Sequence, residues 1–366
     1  MNELKINQTP VRTSKNYQIN HIKLDNIQFN QDEKFENVVY QDFDNENIKV
    51  STVTSDIHLT YGMGEELEKE VKTNANVRLR LEVKENTDKE NIIHFIFDQK
   101  NRQLVDDVEI VVNENTKGKI TIKYSVENAN ALEEKYEVDK QFEGIHNGII
   151  RTNMKANSEL DLTVINLTGF NTNNMIAMEN ELEENAKLDY QVIDFGGNHS
   201  VTNYYSNLKG DYAENTLNTI YLGINNQMLD INYIAETRGK NTKMHIDVQG
   251  AIKDSAKKHF KGTIDFKRGG KKAEGSENEF CMLLSDEAKS ISLPMLLCDE
   301  EDVVGNHATA AGKINHKELF YLMSRGLTEE EAKILLVRAK FNKVIDQITN
   351  EDLKNELLEE INYRLF

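Results

Sequence analysis

The residues of this 366-residue chain that are best placed to do chemistry lie near its C-terminal end, around His307. His307 follows the acidic run Asp299–Asp302, with Cys298 nine residues before it and His316 nine residues after it. An imidazole near a thiol and carboxylates could hold a metal ion or move a proton. This spacing matches no standard metal set, and a stable zinc or iron–sulfur site needs about three or four ligands. The spacing alone favours a structural histidine over a metal ligand.

The neighbouring reactive residues also have plainer interpretations. Cys298 follows the apolar sequence LPMLL and is predicted to be a small buried hydrophobe, as is Cys281 in EFCMLLSD. His316 is expected to point away from the first turn of a helix, and Asp299–Asp302 to form a solvated turn. The sequence contains no Walker A lysine loop, GxSxG elbow, HExxH or CxxC motif. No classical catalytic motif is therefore present.

Composition and charge narrow the classes of partner and location. The formal net charge of −18 repels phosphate backbones and anionic lipid, so neither nucleic acid nor a membrane is an expected partner. The N-terminal sequence MNELKINQTPVRTSKNYQIN lacks the apolar core of a signal peptide, and no window approaches the ~18 apolar residues of a membrane span. Two cysteines are too few for a disulfide framework and fit a reducing compartment. The predicted location is the cytoplasm.

Hydrophobic periodicity indicates the elements that must position these residues. Apolar and polar residues alternate along much of the chain up to Gly270, and this period of two predicts strands with one buried face. The breaks are rich in Gly and Asn, which tolerate the left-handed backbone of tight corners. Alternating segments include Val77–Val83, Asp107–Val112, Lys119–Val126, Glu159–Leu167 and Lys187–Phe195.

These strands recur at a loose interval. Strands of similar pattern contain Leu160, Leu188, Leu217, Met244 and Ile264, and the last of the intervals between them is the shortest. All of these intervals fall within the period of ~20–50 residues that is typical of repeat architectures. We therefore predict a β-helix, in which each coil pairs its backbone with the next and edges are exposed only at the two ends. A β-sandwich with long hairpins stays open as the alternative.

From Lys313 onward the hydrophobic period becomes helical. Asn315 and Glu318 are spaced as a capping box for a helix that runs to about Ser324 and stops at Gly326. Its apolar residues LFYLM are consecutive, so they cover much of the helix circumference and need partners on more than one side. One side is expected to pack against the end of the β stack, and the other is a candidate docking surface for another protein. A helix wedged wholly within its own domain is the alternative.

Two further helices complete the predicted organisation. Thr328 and Glu331 are spaced to cap the next helix, and Thr349 is predicted to start the last one. The chain then divides into an N-terminal segment (residues 1–55), a β-helix core (56–312) and a small C-terminal helical domain (313–366).

The C-terminal sequence LPMLLCDEEDVVGNHATAAGKINHKELFYLMSRGLTEEEAKILLVRAKF resembles the signature of the SufB/SufD family of iron–sulfur cluster scaffold proteins. The segments HFKGTIDFKRGGKKAEGSENEFCMLLSDEA and, more weakly, PVRTSKNYQIN also resemble this family. Strong similarity covers about residues 210–345. The matching positions are Pro294, Asp302, Val303, His307, Lys313, Leu319–Leu322 and Ser324–Gly326, and upstream Phe260, Gly262 and Leu283–Asp286.

The resemblance implies a right-handed parallel β-helix and a non-catalytic scaffold subunit of a cytoplasmic SUF complex. Its partners would be a SufB-like sister subunit and a SufC-like ABC-type ATPase. In the family the helical domain docks the ATPase, and the two scaffold subunits pair through their β-helices. The docking residues implied here are Leu319, Phe320, Tyr321, Met323, Ser324, Arg325 and Gly326.

Two positions favour the SufD branch of the family. In SufB proteins a glutamate follows the histidine, and a functional cysteine lies upstream of the LLSD-like strand. Here Ala308 follows the histidine, and Glu279 stands at the cysteine position, with Cys281 two residues away on the same strand face. The functional residue implied for SufD is His307. It would ligate a transient iron–sulfur cluster shared with the sister subunit's cysteine, or lie behind such a ligand, and this chain alone would hold no tightly bound cofactor.

Two other functions stay open on the sequence. A SufB-like scaffold that pairs with itself as a homodimer keeps the same chemistry. A β-helix enzyme acting on carbohydrate belongs to a different class, and the absence of Trp and of a secretion signal argues against it.

Overall fold

The computed structural model describes residues 4–13, 19–25, 27–52, 56–127 and 142–365, so residues 14–18 of the Pro10–Asn20 motif lie outside the described part. Within these ranges the chain forms twenty strands and four helices. The strands are β1 (Leu4–Ile6), β2 (Ile22–Leu24), β3 (Val38–Gln41), β4 (Ile48–Ser51), β5 (Val77–Val83), β6 (Asn91–Phe97), β7 (Gln103–Val112), β8 (Lys117–Val126), β9 (Glu143–Met154), β10 (Glu159–Leu167), β11 (Asn171–Leu182), β12 (Lys187–Asp194), β13 (His199–Leu208), β14 (Glu214–Gly223), β15 (Met228–Thr237), β16 (Lys243–Ile252), β17 (Lys257–Phe266), β18 (Ala273–Leu283), β19 (Lys289–Cys298) and β20 (Val303–Lys313). The helices are α1 (Glu65–Asn74), α2 (His316–Ser324), α3 (Glu329–Ile345) and α4 (Glu351–Leu365).

Strands β5 to β20 wind into a parallel β-solenoid of eight coils. The even-numbered strands from β6 to β20 form one sheet, here the even sheet, and the odd-numbered strands from β5 to β19 form the other, the odd sheet. Each strand pairs in parallel with the strand two positions further along the chain. This arrangement confirms the predicted mainly-β, β-helical core and excludes the β-sandwich with hairpins.

The register explains the repeat interval. Leu160 lies beside Leu188, and Leu217 beside Ile246, so the step from each residue to its neighbour is one coil. Ile264 lies on β17 in the odd sheet, which is why the interval that ends at Ile264 is shorter than one coil. Alternate residues of both sheets fill the core between them, and left-handed asparagines recur at the corners, among them Asn115, Asn157 and Asn185.

The two ends of the solenoid differ. At the N-terminal end, β3 pairs antiparallel with β6 and β4 pairs antiparallel with β5, so each sheet ends in a short antiparallel strand. At the C-terminal end, β19 and β20 are the last strands of their sheets, and no described strand pairs with their outer edges. We call this the open end.

The C-terminal helices lie along the outer face of the even sheet. Apolar side chains of α3 and α4, including Phe341 and Ile361, form one cluster with outward-facing residues such as Ile193 and Ile220. These outward-facing apolar residues form a stripe on the even sheet, and the helices remove it from water. One side of α2 was expected to pack against the end of the stack, whereas Leu319 of α2 packs in part against this cluster. No helix in the described ranges is long and apolar enough to cross a membrane.

The helix caps agree with the sequence in part. The Thr328 and Glu331 capping box forms as predicted. Asn315 caps α2, but its side-chain oxygen accepts from the Lys317 N–H and its amide donates to the Glu318 carboxylate, so the reciprocal box is not made.

The last helix begins two residues later than predicted, at Glu351. The carboxylate of Glu90 accepts from the backbone N–H and hydroxyl of Thr349 and from the Asn350 N–H, at 3.2, 2.6 and 3.0 Å. The Asn350 side chain then caps α4 by accepting from the Leu353 N–H at 3.0 Å. Burial of Glu90 on the solenoid therefore fixes where the helix starts.

The N-terminal segment and α1 cover the outer face of the odd sheet, where Ile6, Leu67 and Val71 pack against Val105 and Ile149. Asn7 seals this contact. Its side-chain amide donates to Asp230 Oδ1 at 2.7 Å, and its backbone carbonyl accepts from the Lys261 ammonium at 2.8 Å. Asp230 and Lys261 are themselves a buried ion pair, so the segment is tied to the solenoid by charge as well as by packing.

Candidate functional site

His307 lies on the last strand of the solenoid with its side chain on the core-facing side. It pairs in register with Glu277 of β18. Ala273 and Cys281, each four residues from Glu277 on the same strand, belong to the core, so Glu277 faces inward. Register neighbours share a face, and His307 therefore faces the core too. It is exposed because no described coil covers the open end.

Glu277 lies directly beneath His307 and is fully buried. Its relative exposure is 0%, and neither carboxylate oxygen has a hydrogen-bond partner. The side chain reaches across the core to Gly262, where a Cβ would lie 2.2 Å from Oε1, so only glycine leaves room for it. Burial, and then the nearby Glu279 charge, raise the pKa of Glu277 to about 8. The chain thus holds an unpaired buried carboxylate one layer below the predicted site histidine.

Glu279, at the position of the family cysteine, is saturated with partners. Its oxygens accept from the Lys258 ammonium at 2.7 Å, the Tyr221 hydroxyl at 3.0 Å and the Ser292 hydroxyl at 2.9 Å. Lys258 also donates to Ser292 at 3.0 Å. This terminal polar cluster (Tyr221, Lys258, Glu279, Ser292) is a closed network inside the last coils and has the character of a structural ion pair.

The two cysteines have different environments. Cys281 is fully buried in the core, as predicted, and burial raises the pKa of its thiol. The prediction that Cys298 is buried was wrong. Cys298 is the last residue of β19, at the open end, and its exposed Sγ lies 3.0 Å from the Glu300 carbonyl oxygen. The residues LPMLL before Cys298 are apolar, but no described coil follows β19 to cover Cys298 itself.

No complete metal site is present among the described residues, since no three His, Cys, Asp or Glu side chains come together closely enough to hold an ion. Cys298, His307 and His316 are therefore not assembled into one ligand set. His307 and Glu277 are the pair that the register brings together, one nitrogen and one oxygen donor. No third donor of these kinds joins the pair within the described part of the chain.

Helix α2 is the most exposed apolar element of the described chain. It has no buried residue, and Phe320, Tyr321 and Met323 are 73%, 56% and 41% exposed. Leu319 packs in part against the helical cluster, and the Arg325 guanidinium lies 5.2 Å from the Tyr321 ring centre. The alternative of a helix wedged wholly within its own domain is thus excluded.

The remaining predicted docking residues end this helix. Ser324 is its last residue, and its hydroxyl donates to the Tyr321 carbonyl at 2.7 Å. Gly326 follows with φ 102°, a left-handed backbone that favours glycine, so the chain can turn back toward α3.

One buried polar row was not foreseen from the sequence. The ring nitrogens of His146 lie 2.8 Å from Asp106 and 2.6 Å from Asn174, and the row continues through Ser200 to Asp194. Both nitrogens of His146 have partners and the row is buried, so its role is structural. Its members come from different coils, and no local motif links them.

Comparison with known proteins agrees with this architecture. Residues 95–340 match the family model for the SufBD core domain of the SUF FeS cluster assembly system. A 153-residue stretch is 31% identical to the iron–sulfur cluster assembly protein SufD of Bacillus subtilis, covering 42% of this chain and 35% of that protein. SufBD family proteins of Mycobacterium bovis and Staphylococcus saprophyticus are 23% and 24% identical, over 57% and 53% of this chain and 25% and 42% of theirs.

The matches thus span between a quarter and about two fifths of the length of these relatives. The similarity to a SufD protein supports the branch indicated by Ala308 and Glu279. Because the family model covers more than half of the residues, this chain belongs to the SufBD family of iron–sulfur cluster assembly proteins of the SUF system.

Proposed function

We propose that this chain is a non-catalytic, SufD-like scaffold subunit that acts in the cytoplasm. It pairs with a SufB-like sister subunit through the open end and docks a SufC-like ABC-type ATPase through α2. The observation that carries this proposal is that one chain of the SufBD family has, in its described part, two surfaces without a partner. These are the open end of the solenoid and the exposed apolar helix α2.

The open end supports pairing with another solenoid. An uncovered strand presents a row of N–H and C=O groups that a partner strand can take up. Five positions of β20 are Gly or Ala, so a second backbone can approach closely. His307 lies on this strand, and it would meet donors of the sister subunit there. A nascent iron–sulfur cluster is then cargo, held between the subunits and passed on.

Helix α2 supports docking of a separate protein. Burying a Phe side chain removes roughly 150–250 Å² from water, and at about 25 cal/mol per Å² such residues dominate interface energies. Phe320 is 73% exposed and contributes little to the chain's own core. The free energy gained by burying the Phe320 side chain is therefore available for binding a partner.

The first test is the native mass of the full chain, alone and after anaerobic mixing with the sister scaffold and the ATPase of the same genome. The expected result is a stable complex that holds one copy of this chain. A lone dimer that binds neither protein would overturn the heteromeric scaffold and favour the self-pairing alternative.

The second test replaces the site histidine. His307→Ala is expected to leave folding intact, because the side chain is exposed, and to lower the yield of cluster assembled by the complex. His316→Ala, an exposed histidine at the start of α2, is the matched control and should assemble clusters normally. An unchanged yield in His307→Ala would refute the site.

The third test addresses docking. Phe320→Asp is expected to weaken ATPase binding at least about tenfold while the melting temperature changes little. Tyr212→Asp, which alters another aromatic residue that is 52% exposed, is the control and should bind normally. Equal ATPase affinity of the Phe320→Asp and unaltered chains would reject α2 as the docking surface.

A further inference from the structure

Glu277 and Glu279 of β18 both face the core, but they differ in their hydrogen-bond partners. Glu279 accepts hydrogen bonds from Tyr221, Lys258 and Ser292. Glu277 has no partner at either oxygen, although its relative exposure is 0%. Buried polar groups in folded proteins are almost always hydrogen-bonded, and a buried carboxylate without a partner calls for an explanation, such as strain, a water or a bound ion.

The surroundings of Glu277 preserve this unpaired state. Gly262 faces it from the odd sheet, and any Cβ there would lie within about 2.4 Å of both carboxylate oxygens. In the next coil, Gly262 pairs with Pro294, which has no polar side chain, and Glu277 pairs with His307. The even-sheet residue over Glu277 at the open end is therefore His307, whose imidazole supplies nitrogen donors on the same face.

The spacing suits a shared ion. Neighbouring strands of a sheet lie about 4.7–4.9 Å apart, and both side chains are on the same face. An imidazole nitrogen and a carboxylate oxygen, each about 2.0–2.2 Å from a divalent ion, fit between two such positions. Imidazole and carboxylate together suit first-row divalent metals, including ferrous iron.

We propose that Glu277 is a second metal ligand of this chain, which binds a divalent first-row ion jointly with His307 at the open end. This inference rests on the proposed function, in which His307 contributes to a site completed by the sister subunit. It adds a carboxylate donor to that site. The two residues form a half-site that can be loaded before the subunits pair.

The test is an anaerobic titration of the isolated full chain with Co²⁺, followed by the visible absorption of the bound ion. The unaltered chain is expected to bind one ion. Glu277→Gln and His307→Ala should each weaken binding at least about tenfold, since even residues behind a ligand are worth about 10–100-fold. Because both residues bind the same ion, the double variant should bind Co²⁺ only slightly more weakly than whichever single variant has the lower affinity.

Two controls separate site effects from charge effects. Glu274→Gln removes an exposed carboxylate from the outer side of the same strand, and His316→Ala removes an exposed histidine nearby in sequence. Both should bind Co²⁺ like the unaltered chain. Circular dichroism establishes that each variant is folded. If Glu277→Gln does not fold, Glu277→Met, whose side chain has a similar volume, replaces it in the titration.

The outcomes distinguish this inference from the scaffold proposal. Unchanged Co²⁺ affinity in Glu277→Gln, or no binding by the unaltered chain, overturns the half-site even if the heteromeric complex forms. Binding that needs both residues supports the half-site even if no complex with the sister subunit and ATPase is found.

Discussion

Replacing Asp194 by asparagine should change how the stability of this protein depends on pH. Asp194 ends β12 inside the solenoid and is 2% exposed. Its carboxylate accepts from the Ser200 hydroxyl at 2.7 Å and from the Asn166 amide at 2.8 Å. Burial outweighs these bonds and raises its pKa from 3.8 to about 6.

The sign of the effect follows from this shift. The folded state favours the protonated acid, so the contribution of Asp194 to stability is fully present below pH 3.8 and is lost as the pH rises through 6. A difference of about 2.2 pKa units, at 1.36 kcal/mol each, is ~3 kcal/mol. About 2 kcal/mol of this falls between pH 4.5 and 8. Asp194→Asn should therefore gain ~2 kcal/mol on the unaltered chain across that range.

The assay is urea unfolding of both chains in a series of buffers from pH 4.5 to 8. The difference between the two free energies of unfolding at each pH cancels the other titrating groups. Ser200→Ala provides the opposite change, because it removes a hydrogen bond to the ionised form and should steepen the loss of stability. A difference for Asp194→Asn that stays flat across the series would refute this account.

Two further substitutions test what holds the solenoid together, both by urea unfolding. Asn7→Ala should lower the free energy of unfolding by about 2–3 kcal/mol, because it removes a charge-assisted hydrogen bond to buried Asp230. The same substitution should increase proteolysis of the N-terminal segment. Gly250→Ala should cost about 1–3 kcal/mol, because the new methyl would lie 1.9 Å from the Tyr221 ring, which cannot yield without disturbing the terminal polar cluster. Gly312→Ala, with no atom within 4 Å of its added methyl, should be nearly neutral.

A matched control for the N-terminal contact is Gln8→Ala, since that side chain is exposed and the hydrogen bond from Asn232 goes to the Gln8 backbone carbonyl, which the substitution keeps. Equal losses in Asn7→Ala and Gln8→Ala would show that packing alone holds the segment. Equal losses in Gly250→Ala and Gly312→Ala would show that the core around Tyr221 is loose.

Several strands whose inward residues are apolar were predicted from the sequence, although β6, also apolar inside, was not. β5 and β10 have the bounds that the alternation predicts. Strands β9, β11 and β13 were not individually recognised, because their core-facing positions carry polar residues such as His146, Asn174 and Ser200 that break the pattern. These residues satisfy one another across coils, and such long-range pairing leaves no local signal.

The candidate site shows the same limit. His307 was found through the family motif, whereas Glu277 lies one full coil earlier in the chain. The step between register partners also varies, and it is shorter from Leu188 to Asn215 than from Ile246 to Glu277. Because coil length varies, the neighbour of a given residue cannot be counted off in advance. The register itself decides which carboxylate lies beneath the imidazole.

The unequal ends of the solenoid also limit its valence. A stack with both ends uncovered could add coils from further molecules in each direction and grow into a fibre. Here the antiparallel strands β3 and β4 end the sheets on one side and the parallel strands β19 and β20 end them on the other, so the two ends present different edges to a partner. Under the proposed pairing, two solenoids meet by like ends, and a contact between like ends closes on itself as a pair.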